Sequence, residues 1–182
     1  SKESENIENK LETVSKEINE IENQLTSVTT PINELNRFLG GNVTTGRLGE
    51  WNLESIVKDV MPDGNYEFQK NINPETQDRV DCAIETADGL IIPIDSKFYA
   101  GQYKQYQDAS QANIRSNVLR DLRTAILRDA EDIANKYLRQ NSTSNYAVLY
   151  IASEKLIDLV DEIDNLRQDC LSEKKVLIQG PN

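Results

Sequence analysis

The sequence predicts an α/β domain, a central mixed sheet flanked by helices, behind an N-terminal coiled-coil helix. Three observations carry this. Apolar residues step by four and three through more than four heptads of the first forty residues. Three short segments of strand character follow one amphipathic helix pattern. A long helical segment then leads into Tyr146–Ile151 (YAVLYI), a fully apolar run that reads as a buried strand. The expected organisation is a coil over 1–39 and a domain over 40–182.

The coil comes first. Ile7, Leu11, Val14, Ile18, Ile21, Leu25, Val28, Ile32, Leu35 and Leu39 form its stripe, with Glu, Lys, Asn, Ser and Thr between them. At ~1.5 Å per residue it reaches roughly 50 Å. Leu11, Ile18, Leu25 and Ile32 take position a; Ile7, Val14, Ile21 and Val28 take d. Beta-branched residues at d disfavour a simple parallel dimer. Pro31 interrupts or bends the helix. The functional reading is homo-oligomerisation; the alternative is a helix packed back on its own domain.

Gly40-Gly41 marks the boundary. Leu53, Ile56, Val57 and Val60 share one helical stripe before Pro62. Strands are predicted over 65–72, 79–86 and 90–97, a long helix over about 102–139, and a loop at 141–144. Ser153 caps a further helix with Leu156, Val160, Ile163 and Leu166 inward, and 175–179 closes as a short strand. The order is α-β-β-β-α-β, then α-β.

Composition limits the chemistry. The chain has 182 residues and a net charge of −11, which argues against a nucleic-acid coat protein. Its 37% apolar content, below the usual ~45–50%, implies some solvated helix. There are no histidines, which removes Ser–His–Asp and Cys–His mechanisms and His-ligated metals. An enzyme built from this chain runs on carboxylates, Lys, Tyr, Cys or Ser. Cys82 and Cys170 lack CxxC spacing; the expectation is two buried free thiols in a reducing, cytoplasmic setting, the alternative a disulfide. No run approaches ~18 apolar residues and no signal peptide is visible, so no membrane contact is expected from these residues. The chain starts mid-pattern at Ser1, as a fragment does.

The most informative residues lie in the hairpin around Ala87-Asp88-Gly89. A three-residue loop puts Gly89 at the position of positive φ and pairs Thr86 with Leu90. Cross-strand partners then have numbers summing to 176. One face carries Val80, Cys82, Ile84 and Thr86 against Ser96, Ile94, Ile92 and Leu90, and is read as core. The other sets Asp81 opposite Asp95, with Lys97 one pleat away. A two-residue loop would separate the aspartates, but the apolar pattern prefers the longer one. Two facing carboxylates repel unless a cation sits between them. Lys97 supplies one charge and a divalent metal two. Oxygen-only ligands suit Mg²⁺ or Mn²⁺, and such a site suits phosphoryl chemistry. The plain alternative is a salt-bridge cluster on an exposed sheet face.

Asp81 followed by Ile94-Asp95-Ser96-Lys97, after a helix bearing Glu50, resembles the PD-(D/E)xK nuclease signature. More narrowly, Thr45-Gly46-Arg47-Leu48-Gly49-Glu50, Tyr66-Glu67-Phe68-Gln69, Asp78-Arg79-Val80-Asp81, Ile94-Asp95-Ser96-Lys97, Lys136-Tyr137 and Ser153-Glu154 are similar to the RmuC family of bacterial DNA recombination proteins. The match spans about 45–179. Thr45, Leu48 and Val80 stand where that family has Arg, Trp and Pro, and a His expected near Asp129 is missing. The resemblance implies a restriction-endonuclease-like core and a Mg²⁺-dependent DNA nuclease acting in bacterial recombination. It implies that Asp81 and Asp95 ligate the metal with the Ser96 backbone carbonyl, that Lys97 positions or activates the attacking water, and that Glu50 holds a second metal or the water. Gln69 is assigned to orient Lys97 or a phosphate. A membrane tether, common in the family, would come from an anchor upstream of Ser1.

Residues 97–139 hold eight Lys/Arg against five Asp/Glu, the one basic segment. Arg115, Arg120 and Arg123 are therefore candidate DNA contacts, with a solvated helix face as the alternative. Tyr99, Tyr103 and Tyr106 suit either stacking on unpaired bases or packing at a helix start. The competing function is an inactive nuclease-fold scaffold that grips DNA or protein and assembles through its coil.

Overall fold

The computed structural model describes residues 6–7, 9–20 and 53–180. Residues 9–20 form helix α1, on which Leu11, Val14 and Ile18 are exposed, as is Ile7 just before it. The rest of the predicted coil, Pro31, the Gly40-Gly41 boundary and Glu50 lie outside the described residues.

Helix α2 (Leu53–Val60) leads into β1 (Tyr66–Lys70), β2 (Val80–Glu85) and β3 (Ile91–Lys97). Helices α3 (Ala100–Asp108) and α4 (Ala112–Tyr137) cross over to β4 (Ala147–Ile151). Helices α5 (Glu154–Glu162) and α6 (Leu166–Asp169), then a π-helical turn (Cys170–Lys174), precede β5 (Val176–Gln179). The five strands lie in sequence order; β1, β2 and β3 are antiparallel, while β3, β4 and β5 are parallel. The protein is thus α/β, with a mixed central sheet flanked by helices.

The hairpin has the predicted register. Gly89 sits at φ 79° and the Thr86 amide donates to the Leu90 carbonyl at 2.8 Å. Cys82↔Ile94, Ala83↔Pro93 and Ile84↔Ile92 follow. Both faces of the sheet are covered, as expected of a sheet flanked by helices. Cys82, Ile92, Ile94 and Val148 pack against Leu53, Ile56 and Val57 of α2. Ala83, Leu149 and Ile151 pack against Leu122, Ile126 and Ile133 of α4 and against α5. The cause is topological. A parallel β3–β4 pair requires a crossover, and the crossover helix lies on the second face. Each large side chain so buried contributes about 1.5–3 kcal/mol.

The predicted 102–139 helix is two helices. It breaks at Ala109–Gln111, where Arg115 Nε donates to the Ala109 carbonyl at 3.0 Å and its guanidinium lies 5.6 Å from the Tyr106 ring centre. Ser153 caps α5, its hydroxyl accepting from the Leu156 amide at 3.3 Å. The helix predicted after it stops at Glu162, and Asn165 takes a left-handed conformation (φ 59°) that turns the chain into α6. Cys82 and Cys170 are free and buried, so the disulfide alternative falls. Among the described residues no helix is long and apolar enough to cross a membrane.

Candidate active site

The β2–β3 pairing runs from Glu85↔Ile91 to Cys82↔Ile94 and stops. Counting from the Thr86–Leu90 hydrogen bond, Val80 and Ser96 are the next pair due to exchange bonds. Instead the Ser96 amide donates to Asp81 Oδ2 at 2.7 Å. A carboxylate has replaced a backbone carbonyl at the fork between the strands. The Ser96 carbonyl leaves β3 on the same edge as its amide, so it stands on the side that bears Asp81.

On its other flank Asp81 is released as well. The β1–β2 register holds Tyr66↔Ile84, Glu67↔Ala83, Phe68↔Cys82 and Lys70↔Val80, with Gln69 and Asp81 unpaired between them. Gln69 has φ 51°, a left-handed conformation that costs a non-glycine residue roughly 1–2 kcal/mol. Its Nε2 donates to Asp81 Oδ1 at 3.2 Å, and its carbonyl accepts from Arg79 Nη1 at 3.0 Å. The Tyr137 hydroxyl, at the end of α4, donates to the Arg79 carbonyl at 3.0 Å. Both oxygens of Asp81 are thus held by donors, and one of these, Gln69, is braced from α4 through Arg79.

Asp95 is buried, 8% exposed, so the cluster is not wholly on an exposed sheet face. Its Oδ2 lies 3.0 Å from Lys97 Nζ. Burial pushes its carboxyl above the usual range; the Lys97 hydrogen bond opposes this and neighbouring Asp81 adds to it. Burial pulls the Lys97 amine down, but the bond to Asp95 and the charges of Asp95, Asp129 and Asp81 outweigh it and hold it up. Lys97 is therefore a standing ammonium among carboxylates. Asp129, on α4, accepts from the Tyr99 hydroxyl at 2.8 Å.

The family model described as RmuC family matches residues 1–182. The chain belongs to the RmuC family. Membership implies a recombination-related function. No curated protein and no solved structure matches the chain.

In this RmuC-family chain the structure brings together Gln69, Asp81, Asp95, Ser96 and Lys97. The donors facing the fork are all oxygen, without imidazole or thiolate, and so fit Mg²⁺ or Mn²⁺. Among the described residues no group of three metal-binding side chains forms, and Glu50 lies outside them. Mg²⁺ tolerates this, since it commonly binds through one or two carboxylates and keeps waters or takes phosphate oxygens.

The structure does not bring Arg115, Arg120 and Arg123 to this site. Arg123 pairs with Asp169 and donates to the Asp164 carbonyl, which fastens α4 to α6. Arg115 holds the α3–α4 corner, and Arg120 bonds Asn117 on its own helix. At ~1.5 Å per residue Arg123 lies about 20 Å along α4 from Tyr137. Among the described residues, Lys97 and Arg79 are bonded to groups of the fork, and Lys136 lies 3.9 Å from Asp78. The roles of Arg79, Tyr137 and Asp129 escaped sequence reasoning. Lys136-Tyr137 was a visible motif, but its partner lies 58 residues away.

Proposed function

We propose that the chain is a Mg²⁺-dependent DNA nuclease of the PD-(D/E)xK type, built on a restriction-endonuclease-like core and acting in bacterial recombination. One observation supports this most: two aspartates from adjacent strands meet at a fork where the sheet opens, with a lysine bonded to the buried one. Like charges gathered in a buried place cost stability, and chemistry is the usual reason to retain them. Asp81, Asp95 and the Ser96 carbonyl would hold the metal, with Glu50 a further ligand. Such an ion, when bound, would polarise a phosphoryl oxygen and lower the pKa of a bound water. Lys97 holds the attacking oxygen and the developing phosphoryl charge, and Gln69 keeps Asp81 oriented. The exposed Ile7, Leu11, Val14 and Ile18 support assembly through the coil, and the two free, buried thiols support a reducing, cytoplasmic setting.

The scaffold reading is favoured by the net charge of −11 and by Thr45, which stands where the family has Arg. The two are separated by incubating the purified chain with Mg²⁺ or Mn²⁺ and labelled single-stranded, duplex, nicked and branched DNA, beside Asp95→Asn and Lys97→Ala. Metal-dependent cleavage that both substitutions abolish establishes the nuclease. DNA binding without cleavage of any form establishes the scaffold.

A further inference from the structure

Resting on the nuclease reading, we propose that Phe98 is a stacking platform for an unpaired base, so that the site takes single-stranded DNA. Phe98 follows Lys97 directly and is 66% exposed. Among the described residues it is the sole aromatic side chain that is exposed. Its neighbours are pinned. Lys97 is bonded to Asp95, and Tyr99 is buried with its hydroxyl on Asp129. The backbone at Phe98 is therefore fixed from both sides, and the ring stands in solvent one residue from the reacting centre. The nearby tyrosines do not compete for this role. Tyr103 accepts from Gln107 and packs on the core beside α4; Tyr106 donates to Glu162 and lies under Arg115.

A phenyl ring has no hydrogen-bonding group with which to read a base edge or a phosphate. What it offers is a face, and every base has one. In duplex DNA the base faces are already stacked on each other. The ring therefore favours a strand whose bases are free, with little dependence on sequence, while phosphate positioning falls to the carboxylates' metal and Lys97.

The test uses the full chain and fluorescence anisotropy with labelled oligo(dT), oligo(dA) and their annealed duplex, at one salt concentration and with Ca²⁺ as the cation. Phe98→Ala weakens binding of both single strands roughly tenfold, the loss of one base–aromatic stack, and leaves the duplex unchanged. Phe98→Tyr restores it. An alanine variant that binds single strands as tightly as the parent, or that loses equally on the duplex, overturns the proposal. If the parent also cleaves single strands in Mg²⁺, that result leaves the nuclease reading standing. A parent chain that binds none of the three DNAs overturns both.

Discussion

Gln69 donates its side-chain amide to Asp81 Oδ1 from a left-handed backbone conformation in the middle of a strand. The regular ladder would have paired these two residues through their main chains; they meet through their side chains instead. Backbone strain of this kind survives where the surroundings over-determine it, often beside a functional group. Here the bracing is explicit. The Gln69 carbonyl is held by Arg79, and the Arg79 carbonyl by Tyr137.

Substituting Gln69 separates strain from function. Gln69→Gly keeps the left-handed backbone without its steric cost, whereas Gln69→Ala keeps the cost and loses the amide. The glycine variant melts about 2–4 °C above the alanine variant, for a difference of about 1 kcal/mol. Both cleave DNA about tenfold more slowly than the parent. Thermal melts and initial rates on the same preparations check this; equal melting points would show that φ 51° stores no strain.

Asp95 makes a pH prediction with a definite sign. Its carboxyl is raised by burial and by Asp81, against the pull of Lys97. The folded state thus holds the proton more tightly than the unfolded one, so this group's stability contribution is greatest at low pH. It is lost as pH rises through the window above about 3.9. Without metal, Asp95→Asn melts higher than the parent at neutral pH, by about 2–4 °C per kcal/mol relieved. The gap closes toward pH 4. Melting curves in EDTA across this range read it directly, and a variant that melts lower at every pH contradicts it.

Much of this was legible in the residues. Gly89 fixes the hairpin loop, and the loop fixes which carboxylates face each other, because a slip of one residue would turn one of them over. The Asp81–Asp95–Lys97 grouping follows from that register. The covering of both faces was legible from the long helix leading into the fully apolar Tyr146–Ile151 run, though not from alternation within β2 and β3. The break at Ala109–Gln111 was hidden because no Gly or Pro marks it, and the contacts that hold it come from Arg115 and Tyr106. Nor does any local signal announce a left-handed Gln69. Counting positive charge in 97–139 did not reveal that Arg123 pairs with Asp169.

The thiols are protected by burial. It pushes Cys82 up to about 12 and Cys170 up to about 11, from an ordinary 9.0. Neither reacts with a thiol reagent at pH 8 in the folded chain, and both react after denaturation. Because the folded values are the higher ones, stability from these groups is complete below pH 9. It falls as pH rises toward 11–12. Melting points that hold steady from pH 9 to 11 would count against this.

Arg123 braces α4 against the α5–α6 turn. Arg123→Ala removes a half-buried ion pair and a bond to the Asp164 carbonyl, at a cost of about 1–3 kcal/mol. The variant melts lower, while its DNA affinity and salt dependence match the parent's. A reduced salt slope would restore Arg123 as a phosphate contact.

The most direct measurement is a Mn²⁺ titration followed by the electron paramagnetic resonance of free Mn²⁺, on the parent, Asp81→Asn and Asp95→Asn. If the fork is a metal centre, the parent withdraws Mn²⁺ from solution, Mg²⁺ competes it off, and either substitution weakens binding at least tenfold. Binding that survives both substitutions, or no binding by the parent, would mean that Asp81 and Asp95 meet for a purely structural reason.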